Sequence, residues 1–307
     1  INDDFVLRFT PSLHASDSQE EFDYIIANPP YFKLAKSDPR SMALSGLCAS
    51  QPNIYSAFLT VAVNLLDEAG QLVFITPRSF TAGSYFTAFR KYFLKHMKID
   101  FVHLFDSRRE VFQKESVLQE TVIFTASKMS NSEQSDSTKI KVSISTGTKD
   151  LHEATERVYD TKTIIVTGDK IIHLPSTEDE AQVLNIFQSW NGSIHQYGIE
   201  ISTGPVVSFR NGDLISESLY EGSCAPMLWL HNITQMQVLW PIAKPGKGQY
   251  IKSSYPDKSL LLPKQNYVLL RRFSAKGDSH RLICAPFIDE LITENYLKDS
   301  SFIGVEN

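Results

Sequence analysis

Phe22 to Phe32 read FDYIIANPPYF. Phe22, Tyr24, Ile25 and Ile26 form a short apolar run that predicts a buried strand. Pro29 and Pro30 have no amide proton to donate, so the strand stops where they begin. Its carboxyl end presents the Asn28 carboxamide, a stiffened backbone whose carbonyls are free to accept, and the Tyr31 ring. In open α/β sheets that edge is where ligands bind.

Those groups suit one task. A planar molecule with an exocyclic amino group can stack on Tyr31 while its N–H protons point at the Asn28 side-chain oxygen and the Pro29 carbonyl. A ring-conjugated amine is a poor nucleophile because its lone pair is delocalised. Two acceptors holding its hydrogens draw the nitrogen toward tetrahedral geometry and free that pair for attack on an electrophilic methyl group, which is orientation and preorganised electrostatics rather than strong base catalysis. The competing reading is structural, since Asn-Pro commonly opens a turn.

The order of elements extends the pattern. Asn53 to Glu68 carries Ile54, Phe58, Val61 and Leu65 at helical spacing, with Gly70 placed to end a helix. Gln71 to Thr76 reads as a strand followed by Pro77-Arg78-Ser79-Phe80, Tyr85 to Met97 as a helix, and Ile99 to Phe105 as a strand. Thr121 to Thr125 and Ile140 to Ser145 predict a hairpin around the polar, mobile stretch Ser127 to Thr138.

On these residues the chain resembles the S-adenosylmethionine-dependent amino-methyltransferases, most closely the gamma-type DNA adenine-N6 methyltransferases of bacterial restriction-modification systems. The resemblance implies an α/β fold, the later half of a Rossmann-like methyltransferase sheet followed by a β-rich target-recognition domain. Asn28, Pro29 and Tyr31 match the catalytic tetrapeptide, and Tyr31 would stack on the target base. Asp4-Phe5 resembles the acidic-aromatic motif whose carboxylate accepts from the cofactor's adenine amino group; with Asn28 and Pro30 it makes the implied cofactor-binding set. Glu110 to Lys114 resembles the segment whose aromatic residue, here Phe112, packs on the other face of the flipped base. The implied reaction rotates an adenine out of the duplex and methylates it.

No F-x-G-x-G or similar glycine-rich turn precedes Asn28, and 27 residues stand there. The chain opens at Ile1 without methionine and closes at GVEN without a terminal element. The expectation is a piece of a longer enzyme, inactive on its own, whose partners are duplex DNA and either the missing N-terminal segment or an associated endonuclease.

A hydrophobic content of 42% and a charged content of 21% suit a soluble chain, and 307 residues allow about two domains. No run of eighteen apolar residues occurs, so no membrane partner is expected, and the implied location is the bacterial cytoplasm. Cys48, Cys224 and Cys284 are far apart, which argues against a metal site and for unpaired thiols; the eight histidines are scattered, with His96 and His103 read as surface or packed residues.

The net charge of −5 conceals an uneven distribution. Lys244, Lys247, Lys252, Lys258, Lys264, Arg271, Arg272, Lys276 and Arg281 face only Asp257 and Asp278 in their stretch, which is +7 and leaves −12 on the remainder. Tyr250, Tyr255, Tyr267 and Phe273 are interleaved with them. That composition suits phosphate contact and groove insertion, and Lys244, Lys247, Lys264, Arg271, Arg272, Lys276 and Arg281 are the expected DNA-binding set.

The expected organisation is a partial catalytic domain over 1–162, a helical linker over 163–200 and an incomplete target-recognition domain over 201–307. Thr177 to Trp190 reads as a helix with Thr177 as cap and Glu180 at the third position, the pattern of a capping box in which the Glu180 side chain reaches back to the cap residue. Ile201 to Arg210 and Tyr267 to Lys276 resemble two segments of the family's recognition domain. Protein glutamine and RNA amino-methyltransferases share the tetrapeptide, a cytosine amino group fits the same pocket, and a non-catalytic DNA-specificity fragment is the reading from a different class.

Overall fold

The computed structural model describes residues 3–10, 21–45, 47, 53–106, 120–129, 139–219, 224–253, 258–274, 280, 282–288 and 301–307. Phe112, Lys276 and Arg281 lie outside them, as do Cys48 and most of the polar stretch expected to be mobile. The chain divides into two compact units, 1–192 and 193–307.

The first unit is built on six strands: β1 (Phe22–Ala27), β2 (Leu66–Pro77), β3 (Met97–Phe105), β4 (Thr121–Lys128), β5 (Lys139–Ser145) and β6 (Thr155–Asp160), in the order β1-β2-β4-β3-β5-β6. β1 runs parallel to β2, β4 lies antiparallel between β2 and β3, and β5 returns parallel to β3. The helices are α1 (Phe5–Phe9), α2 (Pro39–Ala43), α3 (Ile54–Leu65), α4 (Thr87–His96), α5 (Thr161–Ile164) and α6 (Glu178–Ser189). Leu59, Val61, Leu72, Phe74, Phe89, Phe93 and Phe124 belong to one buried core, in which the Phe80 ring lies 5.4 Å from that of Phe124. The outcome is the α/β sheet expected from the sequence, with its strands mixed in direction.

Four local expectations are corrected. The predicted hairpin of Thr121–Thr125 with Ile140–Ser145 does not form: β4 is taken up between β2 and β3, where both its edges find partners, while β5 joins the far edge of β3. The strand β1, expected to be buried, is largely exposed. Among the described residues β1 pairs only with β2, so the period of two turns Tyr24 and Ile26 outward, 78% and 82% exposed. Helix α3 ends at Leu65 rather than near Gly70, because Leu66 is already extended and opens β2. Gly70 sits within that strand, where a Cβ would meet the Asp67 and Phe22 carbonyl oxygens at 2.9 and 3.1 Å. At α6, Thr177 caps as expected, accepting from the Glu180 amide at 3.2 Å, but the Glu180 carboxylate turns to the Ser176 amide and hydroxyl instead of back to the cap residue.

The second unit contains β7 (Ile215–Ser216), β8 (Cys224–Leu228), β9 (Ile233–Thr234), β10 (Gln237–Val238), β11 (Tyr250–Lys252), β12 (Leu262–Pro263), β13 (Tyr267–Leu270), β14 (Cys284–Phe287) and β15 (Phe302–Val305). Five form a sheet in the order β12-β15-β8-β11-β7, and β13 pairs antiparallel with β14. Its cores gather Val206, Met227, Trp229 and Ile251 on one side and Leu228, Leu269, Phe287 and Ile303 on the other. Gly204 reaches this sheet so closely that a Cβ would overlap the Val305 and Glu306 carbonyl oxygens.

Candidate active site

Asn28 follows the carboxyl end of β1, and the parallel register that pairs Ala27 with Phe74 sets it beside the end of β2. The Tyr31 hydroxyl reaches across both strand ends, with Asn28 Oδ1 at 2.9 Å and the Ile75 carbonyl oxygen at 3.0 Å. Asn28 and Pro30 are exposed, Pro29 is buried and Tyr31 half-buried. The prolines end the ladder and leave the carboxamide at the surface, while the hydroxyl fixes how far it stands from the sheet.

A second layer of rings supports Tyr31. Tyr55 on α3 meets it edge-on at 6.3 Å, is itself buried, and shares a 3.0 Å hydrogen bond with Ser79 Oγ just beyond β2. Burial pushes the Tyr55 hydroxyl above its ordinary range, so it stays protonated and serves as a neutral prop. The segment carrying Ser79 is held by Arg90, whose guanidinium donates to the carbonyls of Phe80 at 3.0 Å, Gly83 at 2.7 Å and Asp169 at 3.1 Å, and to Thr87 Oγ1 at 3.2 Å.

Asp4 and Phe5 occupy the opening of α1. Asp4 Oδ1 caps that helix by accepting from the Leu7 amide at 3.0 Å, and its Oδ2 lies 3.4 Å from Arg40 Nη1. Phe5 stacks on Phe58 at 4.9 Å and is partly buried against the core. Arg40 also holds Asp38 at 2.7 Å and lies over the Phe32 ring at 5.7 Å, so it ties the Asp4 segment to the chain just beyond Tyr31. The Arg40 side-chain hydrogen bond lowers the Asp38 carboxyl to about 2. Sequence reasoning passed over Arg40, Tyr55 and Arg90. Asp38-Pro39, a cap residue followed by a first-turn proline, was the available signal for α2; the two buried residues gave none, since only packing shows what they reach.

The expected basic set spreads over the second unit. Lys244 is exposed and bridges through its backbone to Lys247. Lys247 Nζ stands 3.9 Å over the Trp229 ring and 3.4 Å from Glu306. Lys264 is half-buried; Arg271 Nε donates to the Ile233 carbonyl at 2.6 Å, and Arg272 Nη1 to Asn307 Oδ1 at 2.7 Å. Cys224 and Cys284 are half-buried and not in disulfides. Among the described residues no helix is long and apolar enough to cross a membrane, and no group of three or more His, Cys, Asp or Glu could hold a metal ion.

The first unit thus sets an Asn-Pro-Pro-Tyr turn at the carboxyl end of a parallel strand in a mixed α/β sheet. In comparison with known proteins, residues 3–112 match the model of the Eco57I restriction-modification methylase family. The chain is 30% identical over 292 residues to the Type II methyltransferase M.PstI of Providencia stuartii, an alignment covering 95% of this chain and 57% of that protein. It is 32% identical over 315 residues to M.BsuBI of Bacillus subtilis, covering 100% and 60%. The chain thus spans somewhat over half the length of these relatives. Among solved structures, it is similar to a type I restriction-modification methyltransferase subunit from Streptococcus thermophilus at a TM-score of 0.32 and 18% identity, over 57% of this chain and 33% of that one. The type IIL enzyme MmeI, solved with DNA, gives a TM-score of 0.38 and 15% identity, over 77% and 30%.

Proposed function

We propose that this chain carries the catalytic edge and part of the DNA-reading region of an adenine-N6 methyltransferase that acts on a flipped base in duplex DNA. One observation carries the reading: Asn28 Oδ1 stands at the end of β1, fixed by the Tyr31 hydroxyl, with the proline backbone beside it. That oxygen and the Pro29 carbonyl accept the two hydrogens of an exocyclic amine, and the Tyr31 ring, propped edge-on by Tyr55, gives the base a face to stack on. Unstacking the base costs a few kcal/mol, which stacking and the amino-group hydrogen bonds offset. Phe112 is assigned the opposite face of the base by resemblance.

The methyl donor of this reading is S-adenosylmethionine, whose sulfonium makes its methyl group electrophilic. The donor set at α1 fits the adenine end of such a molecule: Asp4 offers a partly exposed carboxylate, and Phe5 a partly buried ring beside it. Asn28 and Pro30 would lie near the methyl-bearing end. In this proposal the basic residues of the second unit, Lys244, Lys247, Lys264, Arg271, Arg272, Lys276 and Arg281, contact phosphates; they include the half-buried Arg271. Adenine is preferred over cytosine on the family resemblance.

The test is transfer of a radiolabelled methyl group from S-adenosylmethionine to unmethylated duplex DNA. It is run for this chain and for a longer version including the flanking sequence of its reading frame. Label in adenine that drops more than tenfold in Asn28→Ala, with DNA affinity nearly intact, is the expected result. Label in cytosine, or wild-type turnover in the variant, refutes the assignment; label taken up only by protein or RNA substrates moves the activity to those classes.

A further inference from the structure

The end of β15 gathers three segments that are remote in sequence. The Val206 amide donates to the Val305 carbonyl at 3.0 Å, the Asn307 amide to the Val206 carbonyl at 2.9 Å, and Ser208 Oγ to Glu306 at 3.2 Å. Lys247 reaches Glu306 at 3.4 Å, and Arg272 reaches Asn307 at 2.7 Å. The close approach of Gly204 to the Val305 and Glu306 backbone fixes the first of these segments in place. Residues 203–211, 244–248 and 271–274 are thereby held around one strand end.

Two of these segments end in the same device. Phe209 is 83% exposed with the Arg210 guanidinium 5.3 Å from its ring centre, and Phe273 is 68% exposed with Arg272 at 5.4 Å. Single exposed apolar side chains need no explanation. Here two large rings, each with its own cation over it, stand among Arg210, Lys244, Lys247, Arg271 and Arg272. The carboxylate in these segments, Glu306, already has Lys247 as its counter-ion. Cations that alternate with flat exposed rings complement a polyanion that also has flat faces, whereas an acidic peptide would match the charge and leave the rings unmatched.

We propose that this strand end is a docking surface for duplex DNA, on which Phe209 and Phe273 press against bases or sugars exposed in a groove while Arg210 and Arg272 neutralise the flanking phosphates. The proposal rests on the DNA reading above and deepens it: Phe209 and Arg210 lie well outside the Lys244 to Arg281 basic stretch, and only the fold brings them to it. Aromatic wedges and phosphate contacts differ in their response to salt. Each lost phosphate contact lowers the salt slope of binding by about one, whereas a lost stacking ring weakens binding equally at all salt concentrations.

The experiment titrates the full chain against a fluorescent mixed-sequence duplex over a range of salt, with no cofactor and no methyl transfer read. Arg210→Gln and Arg272→Gln should each reduce the slope by about one. Phe209→Ala and Phe273→Ala should each weaken binding about tenfold with the slope unchanged. Phe209→Trp should keep wild-type affinity, and all variants should match the wild type in circular dichroism, since the altered side chains are exposed. Wild-type binding in all four of the Gln and Ala variants overturns this proposal while leaving the methyltransferase reading intact. A preference of the wild type for single-stranded RNA overturns it in favour of another partner. Absence of DNA binding by the wild type overturns both. Loss of catalysis alone does not touch it.

Discussion

Replacing Arg90 with methionine removes a guanidinium that is 1% exposed and holds three backbone carbonyls and a hydroxyl within 2.7–3.2 Å. Methionine keeps much of the packing volume, so the loss is mainly polar. Each buried carbonyl left without its donor costs about 1–3 kcal/mol. The Phe80 carbonyl bears that cost in full, whereas the Gly83 and Asp169 contacts are only partly buried and Gly83 keeps the Phe86 amide, so the sum is roughly 3–6 kcal/mol, offset by about 1–3 kcal/mol because the variant no longer desolvates a cation, the effect that lowers the Arg90 pKa here. The net expectation is a destabilisation of about 3 kcal/mol. Urea unfolding followed by far-ultraviolet circular dichroism measures it, with Arg90→Lys, which restores a donor, falling between the two. The consequence reaches the site: Arg90 clamps Phe80 and Gly83, and the same segment carries Ser79 against Tyr55 and so supports Tyr31. A loss under about 1 kcal/mol, or an equal loss in the lysine variant, would refute the view that those carbonyls depend on Arg90.

Under the proposed function, Tyr31→Phe keeps the ring and deletes the hydroxyl that meets Asn28 Oδ1, so methyl transfer should fall about tenfold with DNA affinity unchanged; Tyr31→Trp should outperform Tyr31→Ala in the same assay. His103 is 4% exposed between Ser143 Oγ at 2.6 Å and Ser145 Oγ at 3.0 Å, and burial lowers its pKa. The unfolded chain therefore takes up the proton first. The neutral ring's contribution is whole above the unfolded value near 6.5 and is lost as pH falls below it, a loss that His103→Gln should remove from urea midpoints compared at pH 7.5 and 5. Gly204→Ala should destabilise the second unit by several kcal/mol, read as a lowered melting temperature, because its Cβ overlaps two backbone carbonyls that belong to the β15 end.

The Asn28 to Tyr31 turn was legible in the sequence because proline without an amide proton ends a strand wherever it stands, and α3 was legible because its apolar spacing is local. The extent of α3 and β2 was misread at Gly70, since a glycine that permits a turn and one that permits close approach look alike along the chain; only the neighbouring Phe22 carbonyl distinguishes them. Strand pairing was misread for the same reason. β4 and β5 are consecutive and alternate correctly, yet β4 finds two partners between β2 and β3, a choice made by the whole sheet.

By itself, then, the sequence determined local chemistry: a carboxamide, free carbonyls and a ring at a strand end, and a basic aromatic stretch later on. Backbone donor loss and side-chain type are properties of residues and survive without context. Tertiary structure alone decided that the Tyr31 hydroxyl meets Asn28 across to Ile75, that Arg90 and Tyr55 hold the site from behind, and that Phe209 and Arg210 stand with Lys247 and Arg272 around one strand end. Apart from the Tyr31–Asn28 and Arg90–Gly83 hydrogen bonds, those are relations between groups 24 to 98 positions apart in the chain, and distance in space between such groups is set by packing.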